Sequence, residues 1–306
     1  MISVVIPAYN EEQMILKAAQ VIDDILSQEK IPNELIFIDD GSKDKTWEKI
    51  VSLSGDFDNI RGVRFSRNFG KEAAIMAGLS ASNGECCVVI DCDLQHPPEK
   101  IVEMYRLWEQ GFEIVEGQKS TRGKEGKVHS LAAKLFYRLI SAATHLDMTN
   151  ASDFKLLDRK VVNALVNMRE KNAFFRALSS WVGFKSSIVK FEVRERETGE
   201  SKWSMISLIK YAVSNVTSFS TLPMQIVTIL GLVMFLVSLV IGVNSLIQKI
   251  CGHALEGFTT VILLTLFSSS VIMMSLGIMG YYISKIYEEI KDRPKYIVSE
   301  TCGEKR

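Results

Sequence analysis

Short apolar runs alternate along the first part of the chain with stretches whose apolar positions recur every three or four residues. "ISVVI" reads as a strand and "EEQMILKAAQVIDDIL" as a helix, and "ELIFID" and "DKTWEKIVSLS" repeat the pair. "IRGVRF" precedes the helical "KEAAIMAGLSAS", "CCVVID" precedes "PEKIVEMYRLWEQ", and "FEIVEG" is a fifth strand. Side chains alternate along a strand and return every 3.6 residues in a helix, and strands apolar on both faces belong to a sheet covered on both sides. The pattern predicts an α/β fold, a mostly parallel sheet with helices on both faces.

Farther along, the alternation gives way to unbroken apolarity. No charged residue occurs from Tyr211 to Gln248 or from Gly257 to Ser284. Each run exceeds the about 20 residues a helix needs to cross about 30 Å of hydrocarbon. The link "QKICGHALEG" makes the two spans an antiparallel transmembrane hairpin. Of Lys and Arg, the link carries Lys249 alone, whereas Lys285, Lys291, Arg293 and Lys295 follow the second span. That bias predicts that residues 1–210 and the tail both face the cytoplasm of a cell membrane. "MISVVIPAYNEE" has neither the basic start nor the cleavage site of a signal peptide. "KWSMISLIKYAVSNVTSFS" has apolar residues at helical spacing with two lysines, as expected of an element lying at the membrane surface. The expected organisation is an α/β domain over 1–200, an interfacial segment over 201–222, two spans within 223–284 and a tail over 285–306.

Charge narrows the range of functions. Lys and Arg total 36, as do Asp and Glu, so the net charge is zero and no nucleic-acid partner is expected. The spans hold no ionisable residue, which argues against ion conduction. Gly231, Ser238, Gly242, Ser268 to Ser270, Gly277 and Gly280 would let helices pack closely within or between subunits. The five cysteines lack CxxC spacing, and in a cytosolic domain they stay reduced.

In a parallel α/β sheet, ligands bind beyond the carboxyl ends of the strands. Four polar clusters fall there: "PAYNEE", "DDGSKD", "SRNFGKE" and the Asp91/Asp93 pair of "DCDLQHPPE". Two carboxylates one residue apart past a strand repel one another, and a divalent cation relieves the repulsion. Oxygen donors suit Mg²⁺ or Mn²⁺, which completes its shell with phosphate oxygens and water. Gln95 adds a neutral oxygen, and His96 is either a further ligand or a cap on the turn before Pro97. GxxxxGK[ST] is absent, as is GxGxxG after the first strand, which disfavours an ATPase and a dinucleotide oxidoreductase.

"VVIPAYNEE", "IDDGSKDKT", "SRNFGKEAAIMAGL", "DCDLQHPPE", "SDFKLLDR" and "ETGESKW" together resemble the family 2 glycosyltransferases. Within them the chain is similar to the polyprenyl-phosphate sugar synthases, which include the bactoprenol glucosyltransferases and dolichol-phosphate mannose synthases. "TSFSTLP" and "YYISKIYEEIKDRPKYIV" extend the likeness over nearly the whole chain. The resemblance implies a GT-A fold and transfer of a hexose from a nucleotide sugar, most simply UDP-glucose, to a polyprenyl phosphate in the bilayer. Another sugar on the same acceptor, or a non-catalytic adaptor that binds nucleotide sugars, are the alternatives. A processive polysaccharide synthase is disfavoured, because a QxxRW motif and additional spans are lacking. By the same resemblance, Pro7, Ala8, Tyr9 and Glu11 line the nucleoside pocket, with Asp39 and Asp40 near base and ribose. Asp40 also reads as a turn residue before Gly41. Arg67 and Lys71 face the pyrophosphate, or begin a solvated helix. Asp91, Asp93 and Gln95 hold the metal. Asp153 stands near the acceptor and Arg196 at the lipid phosphate, which its planar fork suits. The acceptor phosphate is already ionised, so Asp153 has little to deprotonate. A loop over 119–130 closes on the donor, with Lys119, Arg122, Lys124 and Lys127 near phosphates of donor or acceptor. Relatives assemble in membranes, so a homo-oligomer, with a tetramer as one form, is expected.

Overall fold

The computed structural model describes residues 1–120, 152–168, 170, 174–192, 222–251 and 257–303. The elements are β1 Ile2–Ala8, α1 Ile15–Gln28, β2 Asn33–Asp39, α2 Thr46–Asp56, β3 Ile60–Phe65, α3 Lys71–Ala81, β4 Cys86–Val89, α4 Lys100–Glu109 and β5 Ile114–Lys119. Then come β6 Lys155–Asp158, α5 Arg159–Val166, α6 Phe175–Trp181, β7 Ser186–Phe191, α7 Leu222–Ile250, α8 Phe258–Ile290 and β8 Val298–Cys302. The strands form one sheet in the order β7-β5-β6-β4-β1-β2-β3-β8. β4, β1, β2 and β3 run parallel to their neighbours in that group. β6 lies antiparallel between β4 and β5, and β8 runs antiparallel along β3.

The apolar runs explain the layers. β1 and β2 are buried almost throughout, so their side chains feed both faces of the sheet. On one face Ile15, Ala18, Ala19, Ile22 and Leu26 of α1 pack with Trp47, Ile50, Ile101 and Met104. On the other, Ile36, Ile38, Val63 and Phe65 meet Ala74 and Ala77 of α3. α1 starts at Ile15 although its helical pattern begins at Glu11, because the intervening amides serve the loop after β2. The Glu11 N–H donates to Thr46 Oγ1 at 2.9 Å and the Glu12 N–H to Asp44 Oδ2 at 3.2 Å.

The chain divides into two units, one of residues 1–212 with 294–306 and one of residues 213–293. The second holds α7 and α8, two helices long and apolar enough to cross a membrane over Met224–Asn244 and Leu264–Ile290. Apolar side chains such as Phe235, Val240 and Met273 are exposed along them. Among the described residues nothing approaches the space a Cβ would fill at Gly231, Gly242, Gly277 or Gly280. The segment after the hairpin carried no predicted element, yet it returns as β8 to finish the sheet of the first unit. The interfacial segment expected over 201–222 lies outside the described residues except at its last position, as does most of the loop over 119–130.

Candidate functional site

The site lies along the carboxyl ends of β1, β2, β3 and β4, where parallel strands release their chains into loops. At the end of β1, Pro7 and Ala8 pair with Ile38 and Asp39 of β2, which joins the first two polar clusters. The loops beyond are stitched together. The Asn10 N–H donates to Ser42 Oγ and the Lys43 N–H to Asn10 Oδ1, both at 2.9 Å. Asn10 adopts the left-handed conformation that asparagine tolerates, with φ of 55°. Tyr9 and Glu11 flank it and are half-buried.

Asp39 and Asp40 are both buried and both engaged. Asp39 Oδ1 accepts from the Ser42 N–H at 2.9 Å, and Oδ2 faces Arg64 Nε at 3.3 Å. Asp40 accepts from the N–H groups of Phe69 (2.6 Å) and Gly70 (2.9 Å), so it anchors the residues that open α3. Burial raises both carboxyls above their usual range, and the amides they accept from oppose the rise. Gly41, with φ of +67°, allows this crossing: a Cβ there would stand 2.5 Å from the backbone carbon of Arg67.

α3 begins at Lys71, whose ammonium bridges Asp91 Oδ1 at 2.6 Å and Asp153 Oδ2 at 2.8 Å. Asp153 also receives the fork of Arg176, Nε at 2.6 Å and Nη2 at 2.8 Å. Burial alone would raise Asp153, but the Arg176 and Lys71 charges hold it well below the ordinary carboxylate range. For Lys71 the downward pull of desolvation is outweighed by Asp153 and Asp91, so its ammonium is held charged. Asp91 is lowered too: burial opposes, and Lys71 followed by His96 prevails. Glu72 is the exception. Burial, then repulsion from Asp153, pushes it up to about 7, even though its Oε2 accepts the Phe175 N–H at 3.0 Å.

Arg176 and Glu72 were not legible as site residues, nor was the device that holds α6. Lys155, two residues after Asp153, is fully buried. Its ammonium meets Glu116 Oε2 at 3.1 Å, the Arg176 carbonyl at 3.3 Å and Ser180 Oγ at 3.4 Å. An ion pair taken out of water gives little net stability, but removing one partner strands the other charge. The pair therefore fixes where α6 presents Arg176.

The Asp91–Gln95 turn is tight. Cys92 is buried between the two half-buried aspartates, Leu94 takes φ of 54°, and Asp93 Oδ1 accepts the Gln95 N–H at 3.1 Å. His96 is buried, stacked on Phe154 with centroids 5.4 Å apart and edge-on to Phe191 at 5.3 Å. Its Nδ1 has no hydrogen-bond partner among the described residues and stands 3.8 Å from Asp91 Oδ2. Burial lowers the imidazole, and the Asp91 carboxylate opposes the fall. No group of three or more His, Cys, Asp or Glu that could by itself hold a metal ion is found among the described residues. Asp91 and Asp93 are partly exposed, and with the Gln95 amide they are the oxygen donors this turn offers. The set fits an oxygen-preferring divalent cation that relies on its substrate for the remaining ligands.

Arg67 and Lys71 diverge. Arg67 lies over the Phe69 ring at 4.1 Å from its centroid and donates to the Asn68 carbonyl, away from the Lys71 bridge. Arg196, Arg122, Lys124 and Lys127 lie outside the described residues.

Residues 3–166 match the model of the family described as "Glycosyl transferase family 2". The chain is 37% identical over 306 residues to a protein named uncharacterized glycosyltransferase YkcC of Bacillus subtilis, covering 98% of this chain and 94% of that one. It is 36% identical over 302 residues to a protein of Escherichia coli named prophage bactoprenol glucosyl transferase homolog, covering 97% and 98%. Its fold is similar to that of glucosyl-3-phosphoglycerate synthase from Mycobacterium tuberculosis, solved with Mn²⁺, UDP-glucose and phosphoglyceric acid. The TM-score is 0.50 and the identity 21%, over 71% of this chain and 79% of that one. The expected GT-A sheet is therefore present. Its polar strand ends, the family match over more than half the chain and the near full-length relatives agree: the chain belongs to glycosyl transferase family 2.

Proposed function

We propose that this glycosyltransferase moves a hexose, with glucose from UDP-glucose as the first choice, onto a polyprenyl phosphate at the cytosolic face of a membrane, with inversion at the anomeric carbon. The observation that carries the reading is the state of Asp153. A general base needs a proton affinity near the working pH. Asp153 carries the bidentate Arg176 fork and Lys71, which hold it far below that. An acceptor that needed deprotonation would be poorly served, whereas a phosphate arrives as a nucleophile. Relatives named bactoprenol glucosyl transferase support the lipid acceptor, and the apolar hairpin supports a site held at the headgroup plane.

Asp91, Asp93 and Gln95 would hold Mg²⁺ or Mn²⁺, which when bound supplies positive charge to the departing nucleoside diphosphate. The structural relative solved with Mn²⁺ and UDP-glucose supports that assignment. Pro7, Ala8, Tyr9 and Glu11 would border the nucleoside, with Asp39 and Asp40 shaping the loops around it. Lys71 spans the metal-side and acceptor-side carboxylates, so it would orient the diphosphate against the acceptor. Arg67 would sit at the rim and Arg196 would face the lipid phosphate. The small residues of the hairpin favour a homo-oligomer, with a tetramer as one form.

The test is transfer of labelled sugar from a panel of UDP- and GDP-sugars to undecaprenyl phosphate by the purified full-length protein in detergent with MgCl₂ or MnCl₂. Label should move into the organic phase, and chelation should stop it. Mannose from GDP-mannose or an N-acetylhexosamine from its UDP form would revise the donor alone. Nucleotide binding with no transfer from any sugar nucleotide would leave the adaptor reading, and equal transfer to the neutral polyprenol would overturn the role given to Asp153.

A further inference from the structure

We propose that Glu300, on the strand that returns after α8, is a positioning residue for the nucleoside end of the donor site, acting through Arg64 on Asp39. The inference rests on the reading above that this sheet edge binds a sugar nucleotide.

Arg64 and Glu300 are cross-strand partners in the β3–β8 pair, and the register shifts immediately after Arg64. The two carboxylate oxygens of Glu300 have separate duties. Oε1 accepts from Arg64 Nη1 at 3.0 Å, and Oε2 accepts from Trp47 Nε1 at 2.9 Å. The guanidinium lies 5.8 Å from the Trp47 ring centroid, and its Nε points at Asp39 Oδ2. Asp39 is completely buried, and that oxygen has no hydrogen-bond partner among the described residues, so Arg64 is the cation that faces it. The returning segment grips β3 further through Tyr296, just before β8 and stacked on Phe65 with centroids 4.9 Å apart, and through Ser299 Oγ of β8, which donates to the Arg64 carbonyl.

Stability does not account for this arrangement. The Glu300 side chain is 53% exposed, and exposed ion pairs contribute little to folding. Its location is more telling. Gly41, Ser42, Arg64, Ser66, Ser299 and Glu300 border an open cleft of about 330 Å³ where β2 and β3 release their loops. Arg64 is a quarter exposed and long enough to swing into water. Glu300 holds the guanidinium over Trp47 with Nε inward, which keeps the Asp39 charge compensated and the Asp39–Ser42 turn in place. The nucleoside end is thus completed by a strand that follows the hairpin.

The experiment is calorimetric titration of UDP, with MgCl₂ or MnCl₂ present, into the full-length protein in detergent. It is run on the wild type, Glu300→Gln, Arg64→Ala and the double variant, with Arg64→Lys as the substitute should Arg64→Ala not fold. Glu300→Gln retains an acceptor for Trp47 while removing the charge that holds Arg64. We expect it to weaken UDP about tenfold, to raise KM for the sugar nucleotide by the same factor with kcat within about twofold, and to cost nothing further once Arg64 is gone. Its thermal midpoint should stay within about 2 °C of the wild type. Unchanged UDP affinity in Glu300→Gln, or the same loss in both Arg64 backgrounds, overturns the proposal. Absence of nucleotide binding in the wild type overturns the donor reading and this inference with it, so the two failures are told apart.

Discussion

The two ends of the site are built from different interactions. Around the loops after β1 and β2, most donors are backbone amides: Asn10, Lys43 and Glu11 meet hydroxyl or amide oxygens, and Glu12, Ser42, Phe69 and Gly70 meet the carboxylates of Asp44, Asp39 and Asp40. Around Asp153 they are charges: Lys71 to two carboxylates and Arg176 in a fork. Bonds donated by backbone amides have a fixed partner at one end, so they set a shape that salt alters little. Ion pairs are exchangeable, and an incoming diphosphate or cation competes for the same partners. One end is a mould, and the other is a set of charges that a charged substrate redistributes.

Removing a charge should therefore do more damage than removing a hydroxyl. The largest effect is expected for Arg176→Ala, which leaves the buried Asp153 to Lys71 alone. We expect about 3 kcal/mol of stability to be lost, read by denaturant unfolding in detergent. Lys71→Met should follow, with transfer down about 100-fold while the protein remains folded and still binds nucleotide, because the lost cation sits where charge develops. A selective loss of nucleotide binding instead would move Lys71 to the other end of the site. At the moulded end, Ser42→Ala should cost about 1 kcal/mol, and the cost should be the same at 50 mM and 500 mM salt. A strong salt dependence would erase the distinction between the ends.

A further effect concerns pH. Glu72 is raised from its ordinary 4.5 to about 7 by burial and by Asp153. Its folded form binds a proton more tightly than its unfolded form does. The resulting stability is fully present below about 4.5 and is lost as pH rises through about 7. The thermal midpoint of the wild type should fall by a few degrees between pH 5 and 8 from this source, and Glu72→Gln should remove that component of the slope. An unchanged slope would mean that Glu72 ionises like an exposed glutamate.

The parts legible in the sequence share a property. β1, β2 and β4 announce themselves as apolar runs and α1, α2 and α4 by one buried stripe each, whereas α3 is buried along the continuous run from Ala74 to Leu79. β6 is four residues long and β8 is "VSETC", an edge strand exposed along most of its length, so neither carries an apolar signal. Asp91, Asp93 and Lys71 were legible because they follow strand ends by a fixed rule. Arg176 was not, since 23 residues separate it from Asp153 and only the fold of α6 against β6 joins them. The fully buried Lys155 was hidden for a related reason: "SDFKLLD" shows a charge in a strand but not the Glu116 that meets it. Asp40 had two readings, and its carboxylate spans to Phe69 and Gly70 rather than bonding its own turn.

β8 also has a practical consequence. A strand edge left without a neighbour is an invitation to pair with another molecule. Cutting the chain after residue 212 to obtain a soluble enzyme would strip β8 away and leave the amides and carbonyls of β3 bare. Such a fragment should gather into strand-paired aggregates, and grafting residues 294–303 back through a flexible tether should disperse them.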